Sequence, residues 1–155
     1  MTAEGRKIML FANITTPADI DAVLSNDAEG IGLFRSEFMY MDRRSLPSEE
    51  ELFSVYSSIA ARMGGKPVII RTLDIGADKK APGIDLGEEE NPALGLRAIR
   101  LCLKRRDIFK TQLRAIYRAS LKGNIYIMLP MITTKKELED SLAIAGNARA
   151  ELKSD

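Results

Sequence analysis

Hydrophobic and polar positions alternate along this chain in two rhythms. Short continuous apolar runs fall at Lys7–Ile14 (KIMLFANI), Ile31–Phe34, Val68–Ile70 and Ile125–Ile132 (IYIMLPMI). Runs of this length, bounded by Gly, Pro or polar residues, read as strands buried on both faces of a parallel sheet. Between them apolar residues recur at helical spacing. Ile20, Val23 and Leu24 share one face of a helix ending near Ser25, and Leu52, Val55, Tyr56, Ile59 and Met63 share a longer one. Leu94, Ala98, Leu101 and Cys102 make a third face, which Ile108, Leu113, Ile116 and Tyr117 continue to about Ser120. Leu138, Leu142 and Ala145 mark a last helix running to about Leu152, with Gly146 as its weak point.

Capping residues sharpen these boundaries. Thr16 is expected to cap the first helix, with Pro17 at its first position and Asp19 at its positive end. Ser48 with Glu51, and Thr134 with Glu137, fit capping boxes. Asn91-Pro92 predicts the start of the third helix, and Asp107 a cap for its continuation. Gly64-Gly65 closes the second helix, and Gly76–Glu90 is a long loop of the kind that carries function.

The order βαβαβαβα predicts right-handed parallel units, either in a doubly wound sheet or in a barrel. Neither GxGxxG nor GxxxxGK[ST] occurs, which weighs against the nucleotide-binding doubly wound folds. A complete (β/α)8 barrel needs about 250 residues. Four βα units in 155 residues therefore read as an α/β fold, half of a TIM barrel, in a single domain.

Composition narrows the chemistry. Hydrophobic residues make up 45% and charged residues 29%, ordinary values for a globular protein, and the net charge of +1 gives no pull towards nucleic acid or a membrane surface. There is no histidine, which removes Ser-His and Cys-His catalysis, histidine metal ligands and phosphohistidine chemistry from these residues. The single cysteine, Cys102, allows no internal disulfide, makes a structural zinc site untenable and sets a reducing cytoplasm as the default. It lies in the apolar run Ile99–Leu103 and is expected to be a buried thiol. The N-terminal residues lack the apolar core of a signal peptide, and no run reaches transmembrane length.

Candidate chemistry gathers at strand ends. In PVIIRTLDIGADKK, Pro67–Lys80, an apolar run turns abruptly polar at Arg71. Charge at the C-terminal end of a buried strand is costly unless it meets a partner or a ligand, and α/β active sites sit at that end. The planar fork of Arg71 suits a carboxylate or phosphate. An internal pair with Asp74 or Asp78 is the competing reading. The second run ends likewise, in Arg35-Ser36-Glu37, so two neighbouring strands present arginines to one mouth; an Arg35–Glu37 pair is the alternative there. Arg97, near the expected start of the third helix, is placed to face the same mouth. Arg100, Arg105, Arg106, Arg114 and Arg118 are expected mostly on a solvated helix face.

The segments GIGLFRSEF, LPSEEELF, VIIRTLDIGADK, ENPALGLRAIR and IMLPMI follow one another in this order. Over nearly its whole length the chain resembles enzyme I of the bacterial sugar phosphotransferase system, the phosphoenolpyruvate-protein phosphotransferase family. Pyruvate phosphate dikinase and phosphoenolpyruvate synthase share a related barrel, but RTLDIGADK and ENPALGLRAIR are closer to enzyme I. The resemblance implies a C-terminal (β/α)8 barrel that binds phosphoenolpyruvate with Mg2+ and dimerises. It implies phosphoryl transfer to a histidine on a separate N-terminal domain, then to the carrier protein HPr and on towards sugar uptake. It maps the family's phosphate-binding arginines onto Arg35 and Arg71 and a further site arginine onto Arg97, and places Lys79 in the matching loop.

The departures are as informative. The family's magnesium carboxylates, its Asn-Asp pair, another substrate arginine and its acid cysteine belong to later strands, and Cys102 does not match that cysteine. Residues 1–155 are thus expected to be the first half of the barrel domain, inactive alone, carrying no catalytic residue and holding no metal of their own. Half a barrel exposes two sheet edges and part of its lumen, so a homodimer is expected. The rival expectation is a non-catalytic assembly module, in which the arginines form internal ion pairs.

Overall fold

The computed structural model describes residues 2–41, 43–76, 81, 83–84, 91 and 95–154. Strand β1 (Phe11–Ile14) is followed by a 3-10 turn, Pro17–Asp19, and helix α1 (Ile20–Ser25). Strand β2 (Gly30–Arg35) runs into a second 3-10 turn, Ser36–Met39, before α2 (Glu49–Arg62). Then come β3 (Val68–Arg71), α3 (Ala98–Lys104), α4 (Arg106–Ala119), β4 (Ile125–Met128) and α5 (Lys135–Glu151).

The four strands form one sheet in the order β1-β2-β3-β4, every pairing parallel. That order settles the choice left open above. A doubly wound sheet reverses its strand order at a switch point. Here each strand lies beside its sequence neighbour, as successive βα units do in a TIM barrel, and the sheet is open. Strand side chains alternate between faces. Ile14, Ile31, Phe34, Val68 and Ile70 are buried on the face the helices cover, a register irregularity in β2 between Ile31 and Phe34 bringing those two to the same side. Phe11 and Tyr126, 40% and 52% exposed, belong to the alternate positions and look onto the uncovered face. The core between sheet and helices is continuous, with Tyr56 of α2 meeting Phe34 edge-on at 6.0 Å between ring centroids.

Both capping boxes form as expected. The Glu51 amide donates to Ser48 Oγ at 3.2 Å and the Ser48 amide to Glu51 Oε2 at 2.8 Å. Thr134 and Glu137 repeat the pattern at 3.1 and 2.9 Å. Gly64 and Gly65 end α2 with φ of 58° and 87°, a left-handed pair that only glycine adopts cheaply. Amide donors, from Ser48 to Glu51 and from Thr133 to Glu137, hold both carboxyls down to about 2 from an ordinary 4.5. A carboxyl whose folded pKa is depressed stabilises above its unfolded pKa and loses that contribution as pH falls through the folded one. Stability should therefore decline between pH 4.5 and about 2. Glu137→Gln should flatten that decline in denaturant midpoints measured across the window.

Several expectations are corrected. Strand β1 starts at Phe11, and Ile8, Met9 and Leu10 before it are exposed, because no strand among the described residues lies along that side of β1. Strand β4 ends at Met128 and not at Ile132. Leu24 is exposed, since the six-residue α1 buries only Ile20 and Val23. Helix α5 buries Ser141 and Ala148 and leaves Leu138 and Leu142 exposed, because it packs on one side only. The third helix begins at Ala98, not near Asn91: Arg97 is extended, with φ −146° and ψ 169°. The Ala98 amide donates to the Ile75 carbonyl at 3.2 Å, pinning the chain to the segment after β3 in a non-helical shape. Pro92 and Leu94 lie outside the described residues. Asp107 does not cap α4. It sits in the first turn and pairs with Arg105, the actual cap position, at 2.8 Å.

Candidate anion-binding site

The register of β2 and β3 sets Arg35 directly opposite Arg71, at the C-terminal end of both strands. The segment leading into α3 brings Arg97 to the same end. Arg71 Nη1 meets Asp74 Oδ2 at 2.9 Å, and Arg71 Nη2 donates to Glu37 Oε1. Arg97 Nη2 reaches the other Asp74 oxygen, Oδ1, at 3.4 Å. Asp74 thus bridges two guanidiniums with one oxygen each. Arg35 turns towards β1, donating from Nη2 to Thr15 Oγ1 at 2.6 Å with its Cζ 5.2 Å from the Phe38 ring centroid. The Glu37 side chain is fully buried, while those of Arg71 and Arg97 keep 16% of their surface exposed.

The two rival pairings fare differently. Arg71–Asp74 is present; Glu37 reaches across the sheet to Arg71, and Arg35 has Thr15 instead. Asp78 and Lys79 lie outside the described residues. Nε of Arg35 and of Arg71 are buried donors without a partner among the described residues. Buried donors in that condition are costly and call for a ligand or water.

A buried polar hub supports the two strand ends. Ser36 Oγ donates to the Arg71 carbonyl at 2.6 Å. Gln112 Nε2 donates to Ser36 Oγ at 2.8 Å and Tyr56 Oη at 3.1 Å, and Gln112 Oε1 accepts from the Leu73 amide at 2.9 Å. One fully buried side chain on α4 therefore holds the Leu73 amide directly and the Arg71 carbonyl through Ser36. Sequence reading missed it, although a signal was there: Gln112 occupies a position on the apolar face made by Ile108, Phe109, Leu113 and Ile116.

Gly76 shapes the third corner. A Cβ placed there would lie 2.9 Å from Arg97 Cζ and 3.0 Å from Nε, so the guanidinium rests against the glycine backbone. Gly76→Ala should push this flexible side chain aside at little cost in stability. The expected result is anion affinity weakened several-fold with an almost unchanged unfolding midpoint, read by calorimetry and denaturant titration on the same protein.

Cys102 is buried as expected, its Sγ 3.7 Å from the Leu73 carbonyl oxygen, and burial pushes its thiol up to about 12. A thiol so protonated is packing, not a nucleophile at neutral pH. The helix arginines are not all solvated. Arg114 and Arg118 reach from α4 to Glu49 at the start of α2, at 2.7 and 2.9 Å, and Arg118 covers the Phe53 ring at 4.1 Å. Arg100 meets Glu137 at 3.4 Å. The acidic start of α2 is therefore a helix–helix latch as well as a dipole partner.

An open run of parallel βα units with guanidiniums at its C-terminal strand ends defines a barrel-type α/β protein. The chain belongs to the PEP-utilising enzyme family, PEP-binding domain, whose family model matches residues 1–155. It is 51% identical over 155 residues to a phosphoenolpyruvate-protein phosphotransferase of Priestia megaterium and 52% identical over 155 residues to that of Staphylococcus carnosus. Against the phosphoenolpyruvate-protein phosphotransferase of Bacillus subtilis it is 51% identical over 144 residues, 93% of this chain. The chain spans only 25 to 27% of the length of these relatives.

Proposed function

We propose that these residues are the phosphate-holding first half of the barrel of a phosphoenolpyruvate-protein phosphotransferase. The observation that carries this reading is the Arg35–Arg71 register, with Arg97 brought to the same strand ends. The names of the relatives and the family match support it. In this reading the phosphoryl group of phosphoenolpyruvate lies against Arg35, Arg71 and Arg97, with Lys79, which lies outside the described residues, as a further contact. Guanidiniums fixed before the reaction offset charge on the phosphoryl oxygens as they separate from the enolate. The acceptor histidine lies outside these residues, which contain none. HPr and sugar uptake come after it. Cytoplasmic location belongs to the same reading; no helix among the described residues is long and apolar enough to cross a membrane.

The described residues do not fit the Mg2+ that the family implies. They hold no cluster of three or more Asp, Glu, Cys or His, and the two carboxylates at the site, Glu37 and Asp74, already face arginines. A homodimer belongs to the reading as well, as the family resemblance implies. One observation favours the rival assembly module: Arg71 and Arg97 already have carboxylate partners. Calorimetric titration of phosphoenolpyruvate separates the two. Binding that Arg35→Ala removes is the expected result. Absence of binding by the unmodified protein would count for the module.

A further inference from the structure

Asp74 and Glu37 both face Arg71, but their settings differ. Glu37 is fully buried in the 3-10 turn that follows β2 and is held by the core around it. Asp74 follows β3 in a segment without regular structure, keeps 11% of its side-chain surface exposed, and divides its two oxygens between two arginines. A carboxylate splitting two guanidiniums in this way takes the place of two oxygens of an anion. An incoming phosphate must then displace it or bind beside a like charge.

We propose that Asp74 is a resident stand-in anion that sets the affinity threshold of the arginine cluster, so that dianionic phosphoryl groups bind and monoanionic carboxylates fall below measurable affinity. The inference rests on the reading of the cluster as a phosphate site. Both ligand classes must displace the same carboxylate and are weakened alike, so only the dianion, which the guanidiniums attract more strongly, clears the threshold. Glu37 has the opposite task. It is a permanent partner that orients Arg71, and its loss should weaken binding of every anion alike. Asp74 therefore sets how strongly an anion must bind, while Arg35, Arg71 and Arg97 supply the attraction and with it the preference for the dianion.

The test uses the 155-residue protein with inorganic phosphate and acetate as probes, titrated by calorimetry into the unmodified protein, Asp74→Asn and Glu37→Gln. Removing a like charge within hydrogen-bond reach of the guanidiniums should tighten phosphate binding about tenfold in Asp74→Asn. It should also bring acetate into measurable range. Glu37→Gln should weaken both probes. Phosphate affinity unchanged or reduced in Asp74→Asn, with acetate still excluded, would overturn the inference. Should Asp74→Asn lose cooperative unfolding, Asp74→Ser carries the same comparison. If the unmodified protein binds phosphate through Arg35 and Asp74→Asn binds no better, this inference fails and the phosphate-site reading stands. If neither binds, both fail.

Discussion

Arg71→Ala is expected to abolish measurable phosphoenolpyruvate binding and to lower stability by about 3 kcal/mol. Two roles meet in this side chain. In the fold, its guanidinium stands against the fully buried Glu37 and against Asp74. Truncating one member of a buried pair costs about 3–5 kcal/mol, because the remaining charge stays in a poorly solvated place. The lower end applies because the Arg71 side chain retains 16% of its exposure and Asp74 keeps Arg97. In the site, Arg71 is the arginine that touches both carboxylates and whose backbone carbonyl anchors Ser36. Arg71→Lys separates the roles. A lysine restores a positive charge beside Glu37 and should recover most of the stability. It lacks the fork that holds two oxygens at once, and so should not recover binding. Denaturant unfolding and calorimetry on the two variants make the comparison. Equal loss of stability in both, or equal binding in both, would contradict it.

Phe34→Ala should cost about 3–5 kcal/mol, the range for emptying a fully buried aromatic site. Phe34 has no exposed surface, meets Tyr56 edge-on, and is the residue before Arg35 on the central strand β2. Its ring packs between β2 and α2. Against a total stability of about 5–15 kcal/mol for a typical domain, such a loss moves the denaturant midpoint far and can unfold the chain at moderate temperature. Leu138→Ala is the contrast. That side chain is 40% exposed on the uncovered side of α5, and the change should stay within about 0.5 kcal/mol. Similar costs for the two substitutions would mean that the core does not lie between the sheet and its helices.

The sequence made the strands, the parallel order, both capping boxes and the pairing of Arg35 with Arg71 legible, because each rests on a local pattern. Apolar runs mark strands, Ser48/Glu51 and Thr134/Glu137 mark helix starts, and an arginine after an apolar run marks a strand end. What escaped it depends on neighbours distant in the chain. Glu37 stands two residues from Arg35, yet the sheet register gives it to Arg71. Asn91-Pro92 carries a good local start signal, but the bond from the Ala98 amide to the Ile75 carbonyl fixes where helix α3 begins. Leu138 and Leu142 have helical spacing like any core face, and spacing cannot say whether anything covers it. Gln112 carries no local signal beyond a polar residue on an apolar helix face, yet it is the hub beneath the site.

The most direct test of the account follows the arginine Nε–Hε resonances of 15N-labelled protein by NMR while phosphoenolpyruvate is added. The account predicts that the signals of Arg35, Arg71 and Arg97 move together along one saturation curve, while those of Arg114 and Arg118, held at Glu49 on the helix layer, stay in place. Stationary signals from the three site arginines at saturating ligand, or movement confined to Arg114 and Arg118, would contradict it.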